Sequence, residues 1–292
     1  MSDEKPQHDC AVRAMTDDGA FRVVTVRTTD TIQRMLELQS HGRTTAQHIG
    51  ELMTGAVLVR ETMAPDYRLQ ALLRSRDNDF RLVADSHPDG GSRGLLTRAS
   101  SAKEHAQLSL EGGTLEIVRT LYSGELHRGV VEVPTGGTMS QTLMSYLQDS
   151  EQVASMLAVS CVLDDSGKHV IAAGGYLVQL LPEVGRGPLA IMAERLNDFR
   201  DISDLLARTN AAASPLLDEI LYGFPFTRLS EHPLGWKCRC STVRVMSSLA
   251  TLSKADLTEL IEDSKPIELS CDFCGQTYNI SPTQLAGLMD QS

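Results

Sequence analysis

The chain has 292 residues, with 27 Lys+Arg against 38 Asp+Glu and a formal net charge of −11. That length allows a sizeable core plus a second, smaller domain, and that charge argues against nucleic-acid backbones or anionic lipid as main partners. The start, Met1-Ser2-Asp3-Glu4-Lys5-Pro6, has neither a basic nor an apolar export region, and no apolar run approaches the ~18 residues of a membrane helix. A soluble, cytoplasmic protein in a reducing compartment is expected, where paired cysteines hold metal or do redox work rather than form permanent disulfides.

Residues 1–19 are polar and acidic and are expected to form a disordered N-terminal extension, with Cys10 an incidental thiol. From Phe21 to Thr28 a β-branched run alternates as a strand, and Asp30 is placed to cap a helix carrying Ile32, Met35 and Leu36 on one face. A second helix runs from Thr45 to Met63, stopped by Pro65. Six short runs follow, each bounded by turn residues: Leu69 to Arg74, Phe80 to Ala84, Gly94 to Ala99, Ala106 to Leu110, Leu115 to Tyr122 and His127 to Val133. They read as an antiparallel meander. A helix from Met139 to Ser150 comes next, then strands from Met156 to Leu163 and Val170 to Leu181. Cys161 lies inside the first of these and is expected to be a buried small hydrophobe.

After Pro182 the β signal stops. Leu189 to Leu206 has helical spacing, and Ser214-Pro215 opens a short helix ending near Tyr222 and Gly223. Helices this short depend on their neighbours, so residues 183–237 are expected to be a helical, metastable linker. In the tail, Ser253 and Ser281 are placed to cap two helices, and Ile267 and Leu269 lead as a strand into Cys271 to Gly275, from which Gln276, Tyr278 and Ile280 return. The fold class is therefore α+β: a mostly antiparallel β-rich domain over residues 20–182, the linker, and a small C-terminal zinc-binding module over residues 238–292.

Two motifs point to chemistry their context does not support. Gly90-Gly91-Ser92-Arg93-Gly94 satisfies the GxSxG pattern of serine hydrolases, but a strand rather than a helix follows it. Gly185-Arg186-Gly187-Pro188-Leu189-Ala190 resembles a dinucleotide-binding turn, yet no second strand with a terminal acid follows.

The informative cluster is cysteine. Cys238-Arg239-Cys240 and Cys271-Asp272-Phe273-Cys274-Gly275 hold four of the six cysteines in two tight pairs. Each pair offers two thiolates to one side of a small ion, and the intervening chain brings the second pair over to complete a tetrahedron around Zn2+. His232 is the one histidine near the pairs, and with four thiolates available it reads as a loop residue. Thiolates are the form that reacts with oxidants. Oxidising two of them weakens coordination, and losing a metal bound only by the folded module removes the folding free energy it contributes.

The CxC to CxxC spacing near the C-terminus resembles heat-shock protein 33, the redox-regulated 33 kDa chaperonin family. Arg93-Gly94, Gly129-Val130-Val131, Tyr146 with Ser150-Glu151-Gln152, and Gly174-Gly175-Tyr176-Leu177-Val178-Gln179-Leu180-Leu181-Pro182 are similar to that family's core motifs in the expected order, over about residues 20 to 290. After Cys240 the chain reads Ser241-Thr242-Val243-Arg244 and keeps only part of the family's charged run. The resemblance implies that Cys238, Cys240, Cys271 and Cys274 bind one zinc when reduced and form the disulfides Cys238–Cys240 and Cys271–Cys274 when oxidised. It further implies an ATP-independent holdase for unfolded client proteins, active as an oxidised homodimer, and not an enzyme. Two other readings remain. A thioredoxin-like CxxC oxidoreductase would need Cys271 at a helix N-terminus. A zinc-ribbon binding module for nucleic acid would need a basic surface, whereas residues 238–292 hold four Lys/Arg against seven Asp/Glu.

Overall fold

A computed structural model describes residues 8–102, 108–121, 123–181, 187–199, 201–262 and 265–289. The chain divides into two compact units, one ending at Lys237 and one from Cys238 onward. Among the described residues no helix is long and apolar enough to cross a membrane.

The first unit is built on two antiparallel-dominated sheets. One has the strand order β10-β1-β2-β9-β8, from β1 (Cys10–Thr16), β2 (Phe21–Arg27), β8 (Ser155–Leu163), β9 (Val170–Leu180) and β10 (Phe226–Pro233). The other runs β11-β5-β4-β3-β6-β7, from β3 (Arg68–Arg74), β4 (Phe80–Ser86), β5 (Gly91–Arg98), β6 (Thr114–Thr120), β7 (Leu126–Glu132) and β11 (Gly235–Trp236). The expected meander holds only in part: β3–β4–β5 and β6–β7 are antiparallel runs of consecutive strands, but β6 pairs with β3 rather than with β5, so the chain crosses the sheet between β5 and β6. Of the expected strand Ala106 to Leu110, residues 103–107 lie outside the described residues and 108–110 are irregular, although Leu108 and Leu110 reach the core. In the GxSxG stretch, Gly91 already opens β5, so no helix follows Ser92. The GxGxxA stretch begins at Gly185, outside the described residues.

Helix α1 (Thr29–Leu38) follows β2, and α2 (Arg43–Glu61) is the spine of the unit. α2 packs against strands of both sheets and is buried almost all round, as a helix needs to be when apolar residues such as Ile49, Leu52, Met53, Val57 and Leu58 occupy several faces. Gly50 lets it approach β8: a Cβ there would lie 2.6 Å from the Cys161 sulfur. Cys161 is thus a core residue, and burial pushes its thiol up, away from reactivity. Helix α3 (Met139–Asp149) closes this core, with Thr138 and Gln141 forming a capping box.

The N-terminal segment departs from the disordered extension expected for residues 1–19. Residues 1–7 lie outside the described residues, but Cys10–Thr16 is an interior strand, paired with β2 on one side and β10 on the other. Ala11, Val12 and Ala14 are buried, and small side chains on both faces suit a strand between two neighbours. Asp9, just before it, does the capping that the sequence suggests for Asp30. Its carboxylate accepts from the Thr31 N–H at 2.6 Å, the Thr31 hydroxyl at 2.6 Å and the Asp30 N–H at 3.2 Å, and it pairs with Arg27 at 2.5 Å.

The segment expected to be a helical linker also differs. It contains α4 (Gly187–Asn197), α5 (Ser203–Arg208) and α6 (Ala213–Ile220), and then the strands β10 and β11. The helices cover the outer face of the five-stranded sheet, where Leu205, Leu206, Leu216, Leu217 and Ile220 meet Phe21, Val23, Tyr176 and Val178. Tyr176 donates to the Phe199 carbonyl at 3.2 Å, and Thr25 to that of Ala213 at 2.8 Å. β10 is not visible in the sequence pattern because its residues are almost all exposed. Its strand form comes from the ladder with β1 and from ties such as Thr227 to Asp17 at 2.9 Å.

The second unit holds α7 (Thr242–Leu249), α8 (Lys254–Glu262), the hairpin β12 (Ile267–Ser270) and β13 (Thr277–Ile280), and α9 (Pro282–Met289). Among its described residues the buried apolar side chains are Leu249, Leu257, Ile280 and Leu285.

Candidate metal centre

The β12–β13 hairpin presents the CxxC pair on a tight knuckle. The Cys274 and Gly275 N–H groups both donate to the Cys271 carbonyl, at 3.2 and 2.7 Å, and the Cys271 N–H donates to the Gln276 carbonyl at 2.9 Å. Gly275 has φ +71°, a left-handed turn that costs glycine no Cβ clash. The CxC pair immediately precedes Ser241, which caps α7 by accepting from the Arg244 N–H at 3.3 Å. That cap holds the helix despite the reduced charged run after Cys240. Ser253 and Ser281 cap α8 and α9 as their sequence contexts indicate, each accepting from the N–H three residues on.

These elements bring all four expected ligands together. Every sulfur of Cys238, Cys240, Cys271 and Cys274 lies within 4.8 Å of the others. Across the two pairs, Cys238 approaches Cys271 at 3.7 Å and Cys240 approaches Cys274 at 3.5 Å. A Zn–S bond of ~2.3 Å gives a tetrahedron with S···S edges of about 3.8 Å, so the donor set fits that ion. All four are free thiols and half-buried, as are the side chains of a closed but accessible site.

Cys238, Cys271 and Cys274 influence one another's ionisation. At Cys238 burial opposes ionisation, but the Cys240 N–H and the thiols of Cys240, Cys274 and Cys271 donate to its sulfur and bring it down to about 7. Burial raises Cys271, and it raises Cys274 to about 12, with the neighbouring thiols adding to the effect at Cys274. The Cys238 proton therefore leaves near neutrality, while those of Cys271 and Cys274 are held more tightly. Tyr278 on β13 is a neighbour that the sequence pattern marks only as part of a return strand. Its hydrogen bond with Cys240, then burial and the nearby sulfurs, pushes its hydroxyl up to about 12. Its place opposite Leu269 in the hairpin register brings it there, a relation visible only once β12 and β13 are paired.

His232 is not one of the grouped ligands; it is on β10, with Nε2 3.2 Å from Glu61. Cys10 is on β1, its thiol raised to about 11 by burial and by Glu231 and Asp9. The rest of the molecule offers no second cluster of three or more such ligands among the described residues.

A β-rich unit with a short helix layer, followed by a terminal centre of four convergent cysteines, defines an α+β protein with a thiol donor set for a metal. The family model described as Hsp33 protein matches residues 9–281, and the chain belongs to that family. The 33 kDa chaperonin of Syntrophotalea carbinolica is 29% identical over 288 residues, covering 96% of this chain and 99% of the relative. That of Bacillus subtilis is 28% identical over 295 residues, covering 97% and 99%. The crystal structure of the 33 kDa chaperonin, or heat shock protein 33 homolog, of Thermotoga maritima superposes with a TM-score of 0.80 at 21% identity, over 97% of this chain and 98% of that one. Membership in this family carries a chaperone function, and with it the binding of client proteins.

Proposed function

We propose that this chain is an ATP-independent holdase whose activity is set by the oxidation state of Cys238, Cys240, Cys271 and Cys274. The observation that carries the reading is the convergence of two sequence-local thiol pairs within 4.8 Å, on a unit with only four buried apolar side chains among its described residues. In the reduced state the four thiolates hold one Zn2+, which supplies charge compensation and folding free energy rather than chemistry. A peroxide or hypochlorite then takes two electrons from each thiolate pair and is itself reduced, with protons from water, to water or to chloride and water, leaving the disulfides Cys238–Cys240 and Cys271–Cys274 and freeing Zn2+. Any two of the sulfurs need move by less than about 3 Å to reach the ~2.05 Å of a disulfide bond.

The oxidised pairs no longer offer thiolates, so the unit from Cys238 onward loses its main stabiliser. Residues 183–237 then become available to unfolded clients, and the active form is a homodimer in the cytoplasm. The domain division follows: a folding core, the segment 183–237 and the redox unit 238–292. The chain is read as a binding protein and not as an enzyme. Against a thioredoxin-like activity stands the place of Cys271, which opens a strand-to-strand knuckle rather than a helix.

Reduced protein is expected to carry one zinc per chain and to suppress little aggregation of a thermally unfolding client. After peroxide with heat, or hypochlorite, zinc release in a colorimetric assay should accompany strong suppression. Zinc release without any gain in holding would end the proposal.

A further inference from the structure

One cleft of the first unit has no part in the redox function. It has a volume of about 170 Å3 and lies where β2, β6 and β9 meet the end of α2 and the Glu151 loop. Arg22, Tyr67, Arg119, Glu151 and Gln179 line it. Arg22 is half-buried, and its Nε and Nη2 both donate to the Gln179 Oε1, at 3.2 and 2.5 Å. Among the described residues no carboxylate lies within ion-pair distance of it. Its cationic neighbour is Arg13, whose own charge is taken by Glu61 at 2.5 Å. A guanidinium in such a place is an uncompensated positive charge.

Arg119 adds a second, independent signal. Its Nη1 binds Glu151 at 2.8 Å and its Nη2 faces His127 Nδ1 at 2.8 Å, but its Nε is buried with no partner. A buried N–H without an acceptor costs free energy comparable to a lost hydrogen bond. Glu151 does not neutralise the cleft, because it is already held by Arg119 and by the Tyr146 hydroxyl at 2.5 Å. Two guanidiniums thus face one carboxylate, an excess of one positive charge. Between the lining residues Glu151 and Val153, Gln152 takes φ +56°, a left-handed conformation uncommon for a residue with a Cβ and one that clusters at ligand sites.

We propose that this cleft binds a small oxyanion of the phosphate or sulfate type, with the Arg22 guanidinium as its principal partner. Arg119 and Tyr67 line the same cleft and carry further N–H and O–H donors. The volume is close to that of an engineered cavity of about 150 Å3 that accepts benzene. It is well below the roughly 300–1,000 Å3 of pockets that enclose drug-sized ligands, so the ligand is a free anion rather than a nucleotide.

The test uses the reduced full-length protein and orthophosphate as probe, at ionic strength held constant with chloride. Saturable binding at one site per chain is expected in calorimetry and in 31P line broadening, with sulfate competing. Arg22→Gln should weaken it at least tenfold, while Arg81→Gln, at an exposed position on β4, should leave it unchanged. If circular dichroism shows Arg22→Gln misfolded, Tyr67→Phe reads the same cleft and should weaken binding several-fold. Absence of saturable binding in the parent protein, or parent-like binding in a folded Arg22→Gln, overturns the site. Tighter binding of phosphoserine than of orthophosphate overturns the assignment to a free anion.

Discussion

The two units of this chain reach stability by different routes. In the first, α2 is enclosed by two sheets and a continuous core runs from Ile32 and Leu52 to Leu115 and Leu143, with a second core under α4 to α6. In the second, four buried leucine and isoleucine side chains stand behind three helices and a hairpin among the described residues. At about 1.5–3 kcal/mol per fully buried side chain, that core contributes no more than a metal does in a zinc-finger peptide, roughly 10–16 kcal/mol. On the proposed reading the second unit rests as much on one ion as on its core, and so changes state when the ion's donors change. The first unit has no such single dependence.

The largest expected effect follows directly. Chelation of the reduced protein should abolish the dispersed NMR signals of residues 238–289 while those of the first unit persist. Cys240→Ser should lower metal affinity sharply and reproduce this partial unfolding, whereas Cys10→Ser and Cys161→Ser should retain the metal. Equal loss of signals from both units on chelation would break the comparison.

A smaller effect probes electrostatics confined to the first unit. Asp85 is buried between Arg68 at 2.6 Å, Arg93 at 2.9 Å and His87 at 3.3 Å. Burial works against its charge, but hydrogen bonds and charges from His87 and Arg68 win and hold its carboxyl well below the usual carboxylate range. A carboxyl depressed in the folded state stabilises above its unfolded pKa of about 3.9 and loses that contribution as pH falls toward the folded value. Urea midpoints of the first unit should therefore drop between pH 5 and pH 2. Asp85→Asn should cost a few kcal/mol, about 2–4, at pH 7, by removing the charge that Arg68 and Arg93 bind, and should flatten part of the acid dependence.

These contrasts also explain what could be read from the sequence. The four-cysteine cluster was legible to the residue, because two thiols two or three positions apart need only a tight turn to converge, and the second pair follows from the fold of a short chain. The strands β3 to β7 were legible because they alternate and are bounded by turn chemistry that acts over a few residues, but the pairing of β6 with β3 instead of β5 was not, since no local pattern encodes that crossover. What escaped depends on distant partners. β1 is built from Ala11, Val12 and Ala14 with charge close by, and it is a strand only because β2 and β10 flank it. β10 offers almost no buried side chain, so no hydrophobic period marks it. Asp9 caps a helix that begins twenty residues later, a relation that no local rule for helix starts contains. The helices α4 to α6 were legible as helices, but their burial against the five-stranded sheet was not, since short amphipathic segments look alike whether they pack or hang free.

That last point gives a third test. Leu217 on α6 is fully buried against the sheet, and Leu217→Ala should cost about 2–5 kcal/mol from lost burial and the cavity left behind. If the helix layer is separable from the rest of the first unit, amide exchange should accelerate over residues 187–220 and stay slow in α2. Uniform acceleration would mean that the layer and the sheets unfold as one.

The smallest expected effect concerns the N-terminal segment. Asp9→Ala removes the acceptor of the Thr31 and Asp30 N–H groups and one partner of Arg27, which keeps Asp30 at 2.6 Å. Loss of such a cap costs about 0.5–2 kcal/mol, readable as a modest fall in the urea midpoint of the first unit. The Asp9 carbonyl also accepts from the Leu234 N–H at 2.9 Å, between β10 and β11. A disturbed cap at Asp9 should therefore raise amide exchange in α1 and at Leu234 together. Coupled loosening at those two places would show that the first residues of the folded chain help to hold its exit toward Cys238, and a change confined to α1 would limit Asp9 to capping.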